Sequence, residues 1–318
     1  MRLIASACYL PRMSQPVREP VDRALIKAEL TANTYVRTVR GIEVHITDAH
    51  AAPNVMQEIG RIREVEFRKD GGGTGKTVDI DEYDTGSSPF RQIVAWDPDN
   101  QELIGMYRYV EATDVRSESG EYELPTARLF TFSERFKEEI LPSTVELGRS
   151  VVNRSATRAI MGLFAAWAGL GALIRTHEHY RYFFGKFTMY PSYDSYARSL
   201  IQDFMRLYCS DPDRLLEPRP GLSVDVAPEY VSPFRGNAYD EDYERMVSAV
   251  SDRGAALPPL VISYLGLSRT MRCFGTARND HFGGVFECAI LVRIADVGEK
   301  QRKRYVESFD GEPTWERA

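Results

Sequence analysis

Residues 144–174 read TVELGRSVVNRSATRAIMGLFAAWAGLGALI. The run 144–152 is strand-like, the polar stretch NRSATR (153–158) interrupts it, and 159–174 carry no charge between Arg158 and Arg175. A helix rises ~1.5 Å per residue, so this apolar segment reaches about 24 Å against a hydrocarbon thickness of ~30 Å. It is short for a membrane span and rich in Gly and Ala, so a buried core helix is expected. A strand, a polar loop and a core helix in succession need a sheet to pack against.

Working outward, GIEVHIT (41–47) alternates as a strand does. Asn54 and Gln57 suggest a capping box opening a helix that ends near Lys69, with Val55, Ile59 and Ile62 on its apolar face. Strand-like 91–96 and 103–110 flank DPDN (97–100), which predicts a hairpin. Residues 22–30, 195–208, 239–250 and 259–265 read as helices, and 129–132 and 183–188 as short strands. VFECAILVRI (285–294) reads as a buried strand, and 111–126 as loop. Mixed hairpins and helices predict an α+β, or mixed α/β, fold with a central sheet flanked by helices. Residues 1–21 are expected to be a loose arm, 22–310 a single domain with a C-terminal extension, and 311–318 a tail. Five prolines in 211–236 mark a long irregular connection. It is placed inside the domain, because strand 285–294 needs a sheet to join and no independent second sheet is visible.

Composition narrows the functional classes. The 318 residues are 43% hydrophobic and 27% charged, a composition with ample core material. The net charge of −6 argues against a nucleic-acid coat. Four cysteines, Cys8, Cys209, Cys273 and Cys288, are far apart in sequence. They suggest neither a disulfide framework nor a zinc ribbon, and so a reducing cytoplasm. The N-terminal MRLIASACYLPRM makes a poor signal peptide.

GGGTGKT (71–77) ends like a phosphate-binding P-loop, but Asp70 stands where the first glycine belongs. It also follows a helix rather than a strand. A nucleotide-binding protein is one alternative, and a non-catalytic binding module another. The pair His177 and His179 has no companion ligands, so no metal is expected. More informative is a charged series over separate segments: Arg63 with Phe67, then Asp81 and Asp84, then Arg108, then Glu146 and Arg149. By composition and spacing it reads equally as a buried network or as scattered surface ion pairs.

In this order the series resembles the acyl-homoserine lactone (autoinducer) synthases, which have a variant GNAT N-acyltransferase fold. The closer likeness is to the ornithine-lipid and glycine-lipid N-acyltransferases, often labelled hemolysin-like. It is carried by EIGRIREVEFRKDGGGTGKTVDIDEYD (58–84), ELGRSVV (146–152), YRYFFGKFTMYPSY (180–193), LPPLVISYLGLS (257–268) and FGTARNDHFGGVFECAILV (274–292). A tryptophan usual in the lactone synthases between Phe67 and the acidic pair is absent, which leaves a lactone-type signal synthase as the alternative.

The resemblance implies a GNAT-like fold and transfer of a long acyl group, plain or 3-hydroxylated, to the small amine of an amino acid or to an amino-lipid, in aminolipid synthesis. The donor would be the 4'-phosphopantetheine thioester of acyl carrier protein, or acyl-CoA, with no cofactor tightly held. It implies catalytic roles among Arg63, Asp81, Asp84, Arg108, Glu146 and Arg149, with Glu146 as first choice of base. Arg154, Ser155, Thr157 and Arg158 fall on the donor-phosphate loop, where helix amides also suit a phosphate. Thr157 replaces a usual glycine there, which favours a carrier-protein donor. Phe67, Phe130 and Phe132 are the candidate acyl lining, with ordinary core as their alternative. Such a protein works in the cytoplasm, with peripheral contact at the inner face of the membrane. Glu146 and Arg149 lie three apart, on opposite faces of a regular strand. To serve one site they need a bulge near Gly148.

Overall fold

Alternating runs along the chain assemble into an eight-stranded sheet, in a computed structural model that describes residues 14–313 and Trp315. The strands are β1 (Tyr35–Val39), β2 (Ile42–Thr47), β3 (Arg91–Asp97), β4 (Glu102–Glu111), β5 (Phe130–Phe132), β6 (Thr144–Val152), β7 (Tyr182–Met189), β8 (Leu216–Pro218), β9 (Arg272–Asn279) and β10 (Val285–Arg293). The order across the large sheet is β1-β2-β3-β4-β6-β7-β10-β9, and β5 pairs with β8 apart from it. Pairing is antiparallel throughout except between β6 and β7, which run parallel. The helices are α1 (Arg23–Glu29), α2 (Pro53–Lys69), α3 (Glu82–Thr85), α4 (Gly162–Thr176), α5 (Ser195–Tyr208), α6 (Tyr239–Asp252) and α7 (Pro259–Leu265).

Strand alternation sorts the two faces. Ile93, Ala95 and Ile104 join the core under α4, while Val94, Trp96 and Met106 join the core under α2. The apolar segment at 159–176 is long and apolar enough to cross a membrane by length and composition. In the fold it is the expected core helix, with Ala165, Ala166, Ala172 and Leu173 buried. Its first turn touches the sheet backbone. A Cβ on Gly162 would lie 2.4 Å from the Ile104 carbonyl oxygen, so only glycine permits this approach.

Several sequence expectations change. The α2 cap is Ala52 rather than Asn54, because Pro53 lacks an N–H and occupies the first helical position. The free amides of Asn54 and Val55 instead donate to the Glu29 carboxylate of α1, at 3.1 and 2.8 Å. Strands β1 and β9 were not expected, and β10 joins the main sheet between β7 and β9. The acidic stretch after the glycines is not simply extended. Asp81 caps α3, and the Asp84 side chain returns to the Asp81 amide in a capping box. The first thirteen residues of the expected arm lie outside the described residues. The remainder, 14–21, is held: Gln15 N donates to Gly75 O (2.8 Å) and Val21 N to Glu58 (3.0 Å). In the tail, Trp315 is buried against Phe309.

The glycine loop 71–77 is irregular and connects α2 to the acidic segment. Its amides face inward. Thr74 N and Gly75 N donate to the Glu64 carboxylate at 3.0 and 2.7 Å, and Arg68 pairs with the same group at 2.6 Å. A protein carboxylate thus occupies the place a phosphate would need. Gly72 packs on Tyr190, beside Phe282.

Candidate active site

Strands β6 and β7 pair only from Thr144↔Tyr182 to Leu147↔Gly185, and then part. The meeting point is tight, since a Cβ on Gly185 would lie 2.5 Å from the Leu147 carbonyl oxygen. Beyond it, the β7-facing edge of residues 148–152 has no strand partner. The other edge stays paired to β4, with a bulge: Arg108 faces Gly148 and Met106 faces Val151, so Arg149 and Ser150 oppose Tyr107 alone. Arg149 adopts a left-handed φ of 51°, uncommon outside glycine. This is the bulge that the spacing of Glu146 and Arg149 required. Both residues line the cleft of about 660 Å³ that opens between the parted strands.

Behind the cleft wall the charged series forms a buried network. Arg63, wholly buried on α2, donates to Asp84 at 3.1 and 3.2 Å and to Gln92 Oε1 at 2.5 Å. Arg108 on β4 reaches Asp81 at 2.6 Å and Asp84 at 3.1 Å. Arg149 pairs with Asp79 at 2.8 Å, more closely than with Asp81 at 3.5 Å, and lies 4.4 Å over the Phe282 ring. Burial alone would raise the Asp84 carboxyl, but Arg63 and Arg108 outweigh it and hold the group well below the usual carboxylate range. Three arginines and three aspartates balance in charge. Arg108 and Arg149 reach the cleft, whereas Arg63, Asp81 and Asp84 stand behind it. Asp79, missed in the sequence, is as fully buried as Asp84.

Glu146 is placed differently. Its Oε1 accepts from Thr126 N (3.1 Å) and Thr126 Oγ1 (2.7 Å), and its Oε2 has no partner although buried. Lys186 of β7 stands across the splay, with Nζ 3.8 Å from Oε1. Burial raises the Glu146 carboxyl above its ordinary range, and Lys186 and Thr126 only partly offset this. A carboxylate poised nearer neutrality, on a residue that lines the cleft and with one buried oxygen left unpartnered, is equipped to take a proton. Thr126 and Lys186 were missed. The first lies in a stretch read as loop, and the second is a single lysine in an aromatic run.

Of the donor-loop candidates, Arg154 lines the cleft mouth, engaged by Glu66 (2.5 Å) and Asp70 (2.9 Å). The other three lie off the cleft. Ser155 faces a separate crevice, Thr157 N donates to Glu102 (2.8 Å), and Arg158 donates to Arg40 O (2.5 Å). The Thr157 amide is thus turned towards β4 and Arg158 towards the turn between β1 and β2, rather than towards an open phosphate site. Phe67 lines the cleft. Phe130 and Phe132 do not: β5 pairs with β8 and buries both in a separate cluster with Phe136 and Phe184. An apolar slot of about 50 Å³ instead continues from the splay, sharing Tyr107 and Leu147 with the cleft and lined by Trp167, Leu170 and Phe183. The segment Ala256–Leu260, entering α7, lines the cleft from the C-terminal part of the chain.

Comparison with known proteins places this geometry. A family model described as an acetyltransferase (GNAT) domain matches residues 62–167, which span α2 to the start of α4. A glycine N(alpha)-acyltransferase of Bacteroides thetaiotaomicron is 40% identical over 305 residues, covering 93% of this chain and 90% of the relative. A protein of the same name from Phocaeicola vulgatus is 41% identical over 300 residues, covering 91% and 92%. The crystal structure of the AHL synthase LasI superposes with a TM-score of 0.42 at 13% identity, over 85% of this chain and 98% of that one. Because the identity to the two acyltransferases extends over nearly the whole of each chain, this protein belongs to their family of GNAT-type N-acyltransferases.

Proposed function

We propose that the protein transfers a long acyl group from the pantetheine thioester of acyl carrier protein to the amine of glycine, as a step in aminolipid synthesis. The observation that carries this reading is the unpartnered, buried Oε2 of Glu146 at the splay. The acceptor is taken from the names of the two relatives. The acyl chain lies along the cleft and points towards the apolar slot beyond Tyr107 and Leu147, which at about 50 Å³ must widen to take more than its end, and the thioester lies against the unpaired edge of β6. An acidic carrier docks beside Lys69 and Arg154 at the mouth.

The chemistry is direct. The acceptor's ammonium gives up a proton to Glu146 Oε2, and the amine attacks the thioester carbonyl. Backbone N–H groups on the free β6 edge hold the oxyanion. A C–N bond forms and the C–S bond breaks. The second proton passes from the nitrogen to the departing thiolate, which leaves as thiol. Arg108 and Arg149, held and neutralised by their aspartates, shape the wall beside the reacting groups. No side-chain nucleophile is needed.

The test is incubation with long-chain acyl carrier protein or acyl-CoA and glycine, with N-acylglycine read by mass spectrometry. Glu146→Gln is expected to lower turnover ~10²–10⁴-fold while leaving the fold intact. Transfer at the wild-type rate by Glu146→Gln would refute the assignment of the base. Absence of any N-acylated amine with either donor would refute the reaction.

A further inference from the structure

We infer that Lys186 anchors the acceptor's carboxylate, so that the site selects amines bearing a carboxylate on the same carbon; the inference rests on the acyl-transfer reading above. Among the described residues, five cationic side chains line the cleft: Lys69, Arg108, Arg149, Arg154 and Lys186. Four are closely paired with carboxylates: Lys69 with Glu66 at 2.7 Å, Arg108 with Asp81 at 2.6 Å, Arg149 with Asp79 at 2.8 Å and Arg154 with Glu66 at 2.5 Å. The nearest carboxylate to Lys186 is Glu146, at 3.8 Å, beyond hydrogen-bond distance.

The hydrogen bonds orient the pair. An ammonium has three N–H donors. One from Lys186 goes to Thr126 Oγ1 at 2.8 Å. That hydroxyl accepts from Lys186 and donates onward to Glu146 Oε1 at 2.7 Å. The Lys186 side chain keeps only 12% of its surface exposed, so its remaining donors meet the cleft rather than bulk water. The wall therefore holds a buried, unpartnered carboxylate oxygen beside an ammonium with donors to spare. An α-amino acid carries the complementary charges, ammonium and carboxylate, on a single carbon. Its amine meets Glu146 Oε2 while its carboxylate meets Lys186.

When Glu146 accepts the proton its charge disappears, and the acceptor's carboxylate then neutralises Lys186. The anchor is thus most strongly engaged during transfer, when the amine must be held against the thioester. Lys186 binds substrate in this scheme, while Thr126 positions both charged groups.

The experiment compares three acceptors at a fixed concentration of acyl donor: glycine, glycinamide, which lacks the carboxylate, and β-alanine, whose charges are one carbon further apart. The wild type should prefer glycine to both in kcat/KM. Lys186→Met should lower kcat/KM for glycine roughly 10- to 100-fold, mainly through KM, as expected for losing a charge-assisted hydrogen bond. Glycinamide should change little, so the preference collapses. Should Lys186→Met not fold, Lys186→Gln keeps a polar group at Thr126, removes the charge and carries the same comparison. Equal losses with glycine and glycinamide would overturn the inference, leaving Lys186 as a prop for Glu146. So would a wild type that accepts glycinamide as readily as glycine. Either result leaves the acyl-transfer reading standing, whereas failure to acylate any amine removes both.

Discussion

Replacing Gly185 by alanine tests whether the narrow meeting of β6 and β7 sets the catalytic spacing. The added methyl would lie 2.5 Å from the Leu147 carbonyl oxygen, where ordinary contact begins near 3.4 Å. The obstacle is backbone, so the strands must part by roughly 0.9 Å, an overpacking that costs about 1–3 kcal/mol. For a chain of this size that lowers the melting temperature by about 2–6 °C. The effect on activity should be larger. Gly185 immediately precedes Lys186, and Leu147 immediately follows Glu146, so parting them lengthens the 3.8 Å separation of the two charged groups. A misplacement near 1 Å can cost ~10²-fold in rate. Thermal unfolding and steady-state transfer to glycine give the two readings on one preparation. A variant with wild-type melting and wild-type kcat would refute the idea that this contact fixes the site.

Four further outcomes are expected. Burial raises the folded pKa of Glu146 and makes it costly to ionise in the fold, so wild type should lose stability relative to Glu146→Gln as the pH rises above about 4. Urea unfolding across that range checks it, and a constant gap would contradict the placement of Glu146. Asp84→Asn should cost about 3–5 kcal/mol at neutral pH by leaving Arg63 and Arg108 underpaired; because Asp84 is held low, the contribution should persist to about pH 4 and disappear only in stronger acid. Glu29→Ala should lower stability by about 1 kcal/mol through exposing the α2 amides, seen as a shifted denaturant midpoint with unchanged transfer. Lys76→Ala should leave acyl transfer unchanged, and calorimetry of the wild type should show no ATP binding, since Glu64 fills the glycine loop.

Elements whose sidedness repeats along the chain were legible. Val55, Ile59 and Ile62 marked α2, DPDN marked the β3–β4 hairpin, and the uncharged run marked α4. Strand β1 was missed because YVRTV lies at the sheet edge and buries one side chain well. Strand β9 was missed because RCFGTARN has its alternation interrupted at Gly275. Within the site, Glu146 and Arg149 were found together with the bulge that joins them. Asp79 was not, because the choice among the four carboxylates in VDIDEYD is made by the α3 capping box. Lys186 and Thr126 acquire meaning only across the β6–β7 splay, a contact between segments 60 residues apart. Phe130 and Phe132 alternate as an acyl wall would, but the pairing of β5 with β8 sends them elsewhere.

The sparse joint between β6 and β7 also bears on how the chain acquires activity during synthesis. The hairpins β1–β2 and β3–β4 close over short sequence distances and can form early. The partner that covers β7 on its other side is β10, which begins only at Val285. By the time residue 190 is made, Glu146, Thr126 and Lys186 all exist, yet Leu257, Leu260 and Phe282 do not. A nascent or truncated chain of that length would display the charged groups on an open sheet edge, wet and unable to hold an acyl thioester. The lining of the cleft is therefore complete only once the C-terminal strands have been made. Stalled chains should be inactive and prone to pair edge to edge through β7.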